Sequence, residues 1–154
     1  MKKVLVSRCL YGGDPVRYDE ADVSVEDPRF NKWRDEGRLV PICAEVFGGC
    51  PIPRPGSRRV GDRIIEVNGN DATEEYMKGA KEALRLAKEH NVICCIMKEF
   101  SPSCGSKVIH DEKREKTIPG QGLVVELLRE AGFKVFSEYD LPEVEKFINE
   151  HDPE

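Results

Sequence analysis

Apolar and polar positions along this chain fall into two alternating rhythms. Short runs of consecutive apolar residues are separated by longer stretches in which apolar residues recur every three or four positions. The runs KKVLVS (2–7), LVPIC (39–43), VICCIM (92–97) and FKVFSE (133–138) predict strands. VICCIM is apolar throughout, as a strand covered on both faces should be. Helical spacing marks the stretches between them. DPRFNKWRDEGR (27–38) sets Pro28 in a first turn, Phe30 and Trp33 on one face, and Gly37 at its end. DATEEYMKGAKEALRLAKEHN (71–91) has the clearest period, carried by Tyr76, Met77, Ala80, Ala83, Leu84 and Ala87. Thr73 is placed as its N-cap, and Glu74 and Glu75 suit the positive end of a helix. LVVELLREAG (123–132) and the terminal LPEVEKFINEH (141–151) complete the helices.

Strands alternating with helices imply right-handed β-α-β units around a parallel sheet, a Rossmann-like α/β architecture in one domain spanning residues 1–154. The connections RCLYGGDPVRYDE (8–20), AEVFGGCPIPRPGSRR (44–59) and the excursion from SPSCG to GQG (101–122) are expected to be loops, with RIIEV (63–67) a short strand of a hairpin or flap. Such sheets bind ligands at the carboxyl ends of their strands.

Bulk properties narrow the classes. A length of 154 residues suits a single core, and a net charge of 24 − 29 = −5 argues against a coat of basic residues for nucleic acid. No stretch approaches the roughly 18 apolar residues of a membrane span. MKKVLVSRCL reads as a first strand and not a signal peptide, so a cytoplasmic protein is expected. Oligomeric state is not legible.

The six cysteines, at 9, 43, 50, 94, 95 and 104, form no C-x-x-C pair. Cys94 and Cys95 sit inside a strand and behave as small apolar groups. Cys9, Cys43 and Cys104 differ, because each stands where a strand runs out, beside Gly or Pro. Three crossovers thus deliver three thiols to one edge of one sheet. That set can hold zinc with an open position, or an iron–sulfur cluster, and spacing alone leaves both open. A Cys–His nucleophile has less support, since His90, His110 and His151 fall on a helix end, in the excursion and in the tail.

Three segments, VSRCLYGGDPVRYD, PICAEVFGGCPIPRP and KEFSPSCG, resemble in order the signatures of the DUF523 family. The chain is similar to its thiouracil desulfidases, [4Fe-4S] enzymes that remove sulfur from thiolated uracils. The resemblance implies Cys9, Cys43 and Cys104 as cluster ligands, with one iron open for the substrate's sulfur, which leaves as hydrosulfide. Cys50, where many members have leucine, is a further candidate ligand. Glu45 and Ser101 are the expected catalytic groups, the carboxylate activating a water. Arg8, Arg17, Ser103, Arg58 and Lys98 are expected to bind substrate. With Arg54, Arg59 and Lys107 nearby, the basic residues suggest a thiolated nucleotide and not only the free base. The expected partner is a small thiolated nucleobase or nucleotide, with nucleic acid disfavoured. A competing expectation is a non-catalytic iron–sulfur or zinc module that carries electrons or sulfur, which a fourth ligand at Cys50 would favour.

Overall fold

The β-branched and thiol-rich apolar runs form the centre of the molecule. A computed structural model describes residues 1–12, 23–52, 55–99, 101, 103–110 and 117–152. Strands β1 (Val4–Ser7), β2 (Leu39–Ile42), β5 (Cys94–Met97) and β8 (Val135–Ser137) make a fully parallel sheet in the order β2-β1-β5-β8. Register pairs Val4 with Leu39 and Cys94, and Cys95 with Val135.

Period-two alternation then divides the core. Val4, Val6, Cys94 and Ile96 face Phe30 and Trp33 of α2 (Pro28–Asp35) and Val144 and Ile148 of α6 (Leu141–His151). Leu5, Cys95 and Met97 face Ala80, Ala83 and Ala87 of α4 (Thr73–Glu89) and Leu128 of α5 (Leu123–Glu130). Both faces are covered, which is why the central runs are apolar without interruption. Cys94 and Cys95 point to opposite faces, each fully buried.

The three connecting segments expected to be loops contain structure. Arg8–Tyr11 forms one helical turn, α1, and Ala44–Phe47 another, α3. The end of the Gly/Pro-rich segment forms β3 (Ser57–Val60), which pairs antiparallel with β4 (Arg63–Glu66) and completes the expected hairpin. The excursion holds a second antiparallel pair, β6 (Val108–His110) and β7 (Thr117–Pro119). These pieces are four residues or shorter, too brief for periodicity to register. Thr73 is not the cap of α4: Ala72 holds that position, and Thr73 Oγ1 accepts the Ile64 N–H at 2.8 Å, tying the helix to β4. Asp71 Oδ1 instead accepts the Thr73 N–H at 2.9 Å.

Opposite the strand exits, a buried ion pair joins the two ends of the described chain. Arg38 Nη1 donates to Asp152 Oδ2 at 2.9 Å and to the Lys2 carbonyl at 2.9 Å, and the Lys2 N–H reaches the same carboxylate at 2.7 Å. The Lys2 N–H first, and then Arg38, hold the Asp152 carboxyl below its ordinary value. A depressed carboxylate stabilises the fold above its unfolded value and loses that contribution as pH falls. Asp152→Asn is therefore expected to lower the melting temperature at pH 7. In a series of melts from pH 7 downward, the gap to the parent should close below about pH 4.

Candidate functional site

The three strand exits bring together the thiols that the sequence singled out. Cys9 lies in α1 immediately after β1, Cys43 is the N-cap residue of α3 immediately after β2, and Cys104 follows β5 by one loop. The thiols lie within electrostatic range of one another. Burial first, and then the charge of Cys43, push the Cys9 thiol up to about 12, with Glu45 adding to the rise and Lys98 opposing it. Burial chiefly raises Cys104 well above its ordinary value, with Cys9, Glu45 and Cys43 contributing and a hydrogen bond from Ser7 opposing. Cys9 and Cys104 therefore resist ionisation until something cationic, with an affinity for sulfur, enters.

The loop that carries Cys104 is built around a buried carboxylate. Glu99, 4% exposed, accepts the Ser106 N–H at 2.8 Å, the Ser106 hydroxyl at 2.6 Å and the Lys107 N–H at 2.9 Å. Ser101 Oγ accepts the Ser103 and Cys104 N–H groups at 3.0 and 3.2 Å and so folds the turn. The Ser103 carbonyl accepts the Val124 N–H at 2.9 Å, which satisfies one orphan donor at the start of α5. At that contact a Cβ on Gly122 would stand 2.3 Å from the Ser103 carbonyl. The cysteine turn rests directly on a helix end.

A second close approach places Glu45. Helix α3 lies against α4 so tightly that a Cβ on Gly79 would stand 1.7 Å from the Ala44 carbonyl oxygen. Tyr76, three residues before Gly79, consequently donates its phenol to Glu45 Oε1 at 2.7 Å. Ser103 Oγ donates to Glu45 Oε2 at 3.2 Å. One half-buried carboxylate is thus gripped from α4 and from the Cys104 loop, beside Cys9 and Cys104.

The basic residues are distributed less simply. Arg8 lies over the Tyr11 ring at 5.4 Å, and Lys98 pairs with Glu138 at 2.9 Å while its charge reaches Cys9. Arg58 donates to the Glu66 carbonyl at 3.1 Å, within its own hairpin. Arg59 bridges that hairpin to α5 through Glu126 and the Gln121 carbonyl, and Lys107 pairs with Asp140 at 3.1 Å. Arg17 and Arg54 lie outside the described residues.

Among the described residues no three His, Cys, Asp or Glu side chains are gathered to hold a single metal ion. The three thiols are electrostatic neighbours without being so gathered, and their softness suits a group larger than one ion, such as an iron–sulfur core. Cys50 lines a different place, a polar cavity of about 370 Å³ with Glu66, Asp71 and Glu75 also in its wall.

Comparison with known proteins settles the family. The model of the 2-thiouracil desulfurase family matches residues 4–140. The chain belongs to that family. It is also 38% identical over 152 residues to the uncharacterized protein YbbK of Bacillus subtilis, covering 92% of this chain and 99% of that one. Among solved structures, the [4Fe-4S]-dependent thiouracil desulfidase TudS superposes with a TM-score of 0.90 at 40% identity, over 93% of this chain and 95% of that chain. The Rossmann-like fold expected from the sequence is the fold of this desulfurase family member. No helix among its described residues is long and apolar enough to cross a membrane.

Sequence reasoning overlooked Ser7, Tyr76, Gly79, Glu99 and Gly122. Ser7 and Tyr76 read as strand and helix core. Glu99 stands inside the KEFSPSCG segment, but nothing local assigns it a role. Only Gly79 left a usable signal, as a glycine inside an otherwise strong helix, which points to packing.

On propensity alone Gly79→Ala should stabilise α4 by about 1 kcal/mol. The backbone contact reverses the sign. Gly79→Ala and Gly122→Ala are each expected to destabilise by roughly 1–3 kcal/mol, read as a fall of several degrees in thermal melts. Gly61, at φ +60° with nothing near its Cβ position, shows the cost of backbone strain without a clash.

Proposed function

We propose that the protein is a [4Fe-4S]-dependent desulfidase that removes sulfur from thiolated uracil or thiouridine nucleotides. The observation that carries this is the convergence of Cys9, Cys43 and Cys104 from three strand exits on a carboxylate gripped at both oxygens. Similarity to TudS at 40% identity supports it. Those three thiols would hold the cluster. When bound, it supplies a Lewis-acidic iron left open by the three-thiolate set, able to take sulfur as it departs as hydrosulfide.

The chain's own groups manage the protons. Net, the thiocarbonyl and one water become a carbonyl and hydrosulfide with release of one proton, and no electrons are exchanged. Glu45 takes a proton from the water as it attacks the carbon bearing sulfur. Ser103 and Tyr76 keep that carboxylate aimed while each of its oxygens retains a lone pair. Ser101 holds the turn through its oxygen and keeps its hydroxyl hydrogen for donation toward substrate. Lys98 and Ser7 offset the accumulation of negative charge when thiols ionise.

For the nucleotide form, Lys98, whose charge reaches Cys9, and Arg8, next to Cys9 in the chain, are assigned to the phosphate together with Arg17 and Arg58. No membrane association is proposed, and the partner is a small molecule. The site is placed in the cytoplasm, where thiols stay reduced.

Protein purified without oxygen should convert 4-thiouracil and 4-thio-UMP to uracil and UMP, monitored by loss of thiocarbonyl absorbance and release of sulfide. Glu45→Gln is expected to cut kcat about a hundredfold or more while cluster content persists. Full turnover in that variant would overturn the base assignment. Arg58→Ala should raise KM for 4-thio-UMP about tenfold and leave KM for 4-thiouracil unchanged, as loss of one charge-assisted contact implies. Equal KM values in the parent and the variant would remove Arg58 from the phosphate contact.

A further inference from the structure

The carboxylate of Glu45 is the inner end of a buried hydrogen-bond chain that begins outside the cysteine loops. Ser57, at the start of the β3–β4 hairpin and 4% exposed, hydrogen-bonds the Tyr76 phenol oxygen. Tyr76, 3% exposed on α4, donates to Glu45 Oε1 at 2.7 Å. Glu45 in turn accepts from Ser103 of the Cys104 loop at 3.2 Å. Four elements with no shared strand or helix meet in this chain: the hairpin, α4, α3 and the exit loop.

We infer that Tyr76 is a positioning residue for desulfuration, fixing the Glu45 carboxylate in the orientation that receives the proton, with Ser57 fixing Tyr76. The inference rests on the reading of Glu45 as the proton acceptor. Three observations separate this from ordinary core packing. The phenol spends its only hydrogen on a carboxylate and not on a backbone carbonyl. Its oxygen also receives a hydrogen bond, so both of its polar functions are satisfied inside the core. And the ring is locked by its place on α4, one turn from the glycine that admits α3.

The donor does not become an acid. Burial first, and then the negative charge of Glu45, raise the Tyr76 phenol far above its ordinary value. Tyr76 therefore stays a phenol and a hydrogen-bond donor to Glu45. Its contribution is orientation: with one oxygen held by a permanent donor, Glu45 loses the freedom to rotate its carboxyl plane away from the water. The hairpin enters the same account. It is anchored independently, because Arg59 ties it to Glu126 and the Gln121 carbonyl of the segment leading into α5. A hairpin so anchored keeps Ser57 in place.

Tyr76→Phe keeps the ring and removes only the hydroxyl, so the core remains filled. Iron and acid-labile sulfide per chain should equal those of the parent, and KM for 4-thiouracil should change less than twofold. kcat should fall about tenfold. Ser57→Ala should lower kcat by a smaller factor. The decisive comparison is Tyr76→Phe placed in Glu45→Gln, followed over single turnovers. If Tyr76 acts through Glu45, the double variant is no slower than Glu45→Gln alone. Independently of activity, metal-free protein carrying ¹³C-carboxyl glutamate should show the Glu45 signal displaced in Tyr76→Phe.

Failure takes distinguishable forms. Unchanged kcat in Tyr76→Phe while Glu45→Gln is impaired overturns this inference and leaves Glu45 standing. The same tenfold loss in both backgrounds, or an unmoved Glu45 carboxyl signal, likewise reduces Tyr76 to packing. Full turnover in Glu45→Gln overturns the reading beneath it, and the inference with it.

Discussion

Backbone lying directly on backbone at two seams sets the geometry of this site. At the α3–α4 seam Gly79 admits the carbonyl of Ala44 and Gly48 that of Glu75, and at Gly122 the start of α5 admits the peptide between Ser103 and Cys104. None of these contacts tolerates a Cβ. Each seam seats a short, intrinsically weak segment on an amphipathic helix that is itself packed on the sheet. A four-residue turn such as α3 has no stability of its own, so its position is borrowed from α4. Cys43 and Glu45 inherit that position. Cys104 inherits its own from α5 in the same way, through the hydrogen bond between the Ser103 carbonyl and the Val124 N–H.

Electrostatics explain why such seating is needed. Buried thiols and carboxylates share one small region, and the negative charges there oppose ionisation of Cys9 and Cys104. Without fixed positions the segments would drift toward water to relieve that strain. Glu99 shows the compensation clearly: a carboxylate 4% exposed is satisfied by two backbone N–H groups and one hydroxyl, all from the loop it organises. Lys98 and the Ser7 hydroxyl provide the local counterweight for the thiols. A soft, cationic core bound by thiolates would complete that balance, and this is the physical content of the family's cofactor chemistry for this chain.

Periodicity made the large elements legible. The helical period over 71–91 corresponds to α4, and the uninterrupted apolar run at 92–97 contains β5, buried on both faces. Strand exits located the thiols because a parallel sheet puts all its carboxyl ends on one edge. What stayed hidden was short or depended on tertiary contact. The turns α1 and α3 and the strands β3, β6 and β7 are stabilised by neighbours and not by their own pattern. Thr73 has the chemistry of a cap but spends its hydroxyl on β4. The basic residues near the loops looked like one anion pocket in sequence, yet Arg59 and Lys107 are engaged by Glu126 and Asp140 from distant elements. Long-range carboxylate partners leave no local trace. Tyr76 was read as core, and it is core; that its hydroxyl meets Glu45 follows from the α3–α4 contact alone.

The central claim is that three thiols from three strand exits hold one four-iron cluster, with Cys50 outside it. It is tested most directly by iron and acid-labile sulfide per chain on protein purified without oxygen, alongside Cys9→Ala, Cys43→Ala, Cys50→Ala and Cys104→Ala. The account predicts about four of each in the parent and in Cys50→Ala, and loss in the other three. Zinc without sulfide, or a cluster that survives loss of Cys9, Cys43 or Cys104 but not of Cys50, would contradict it.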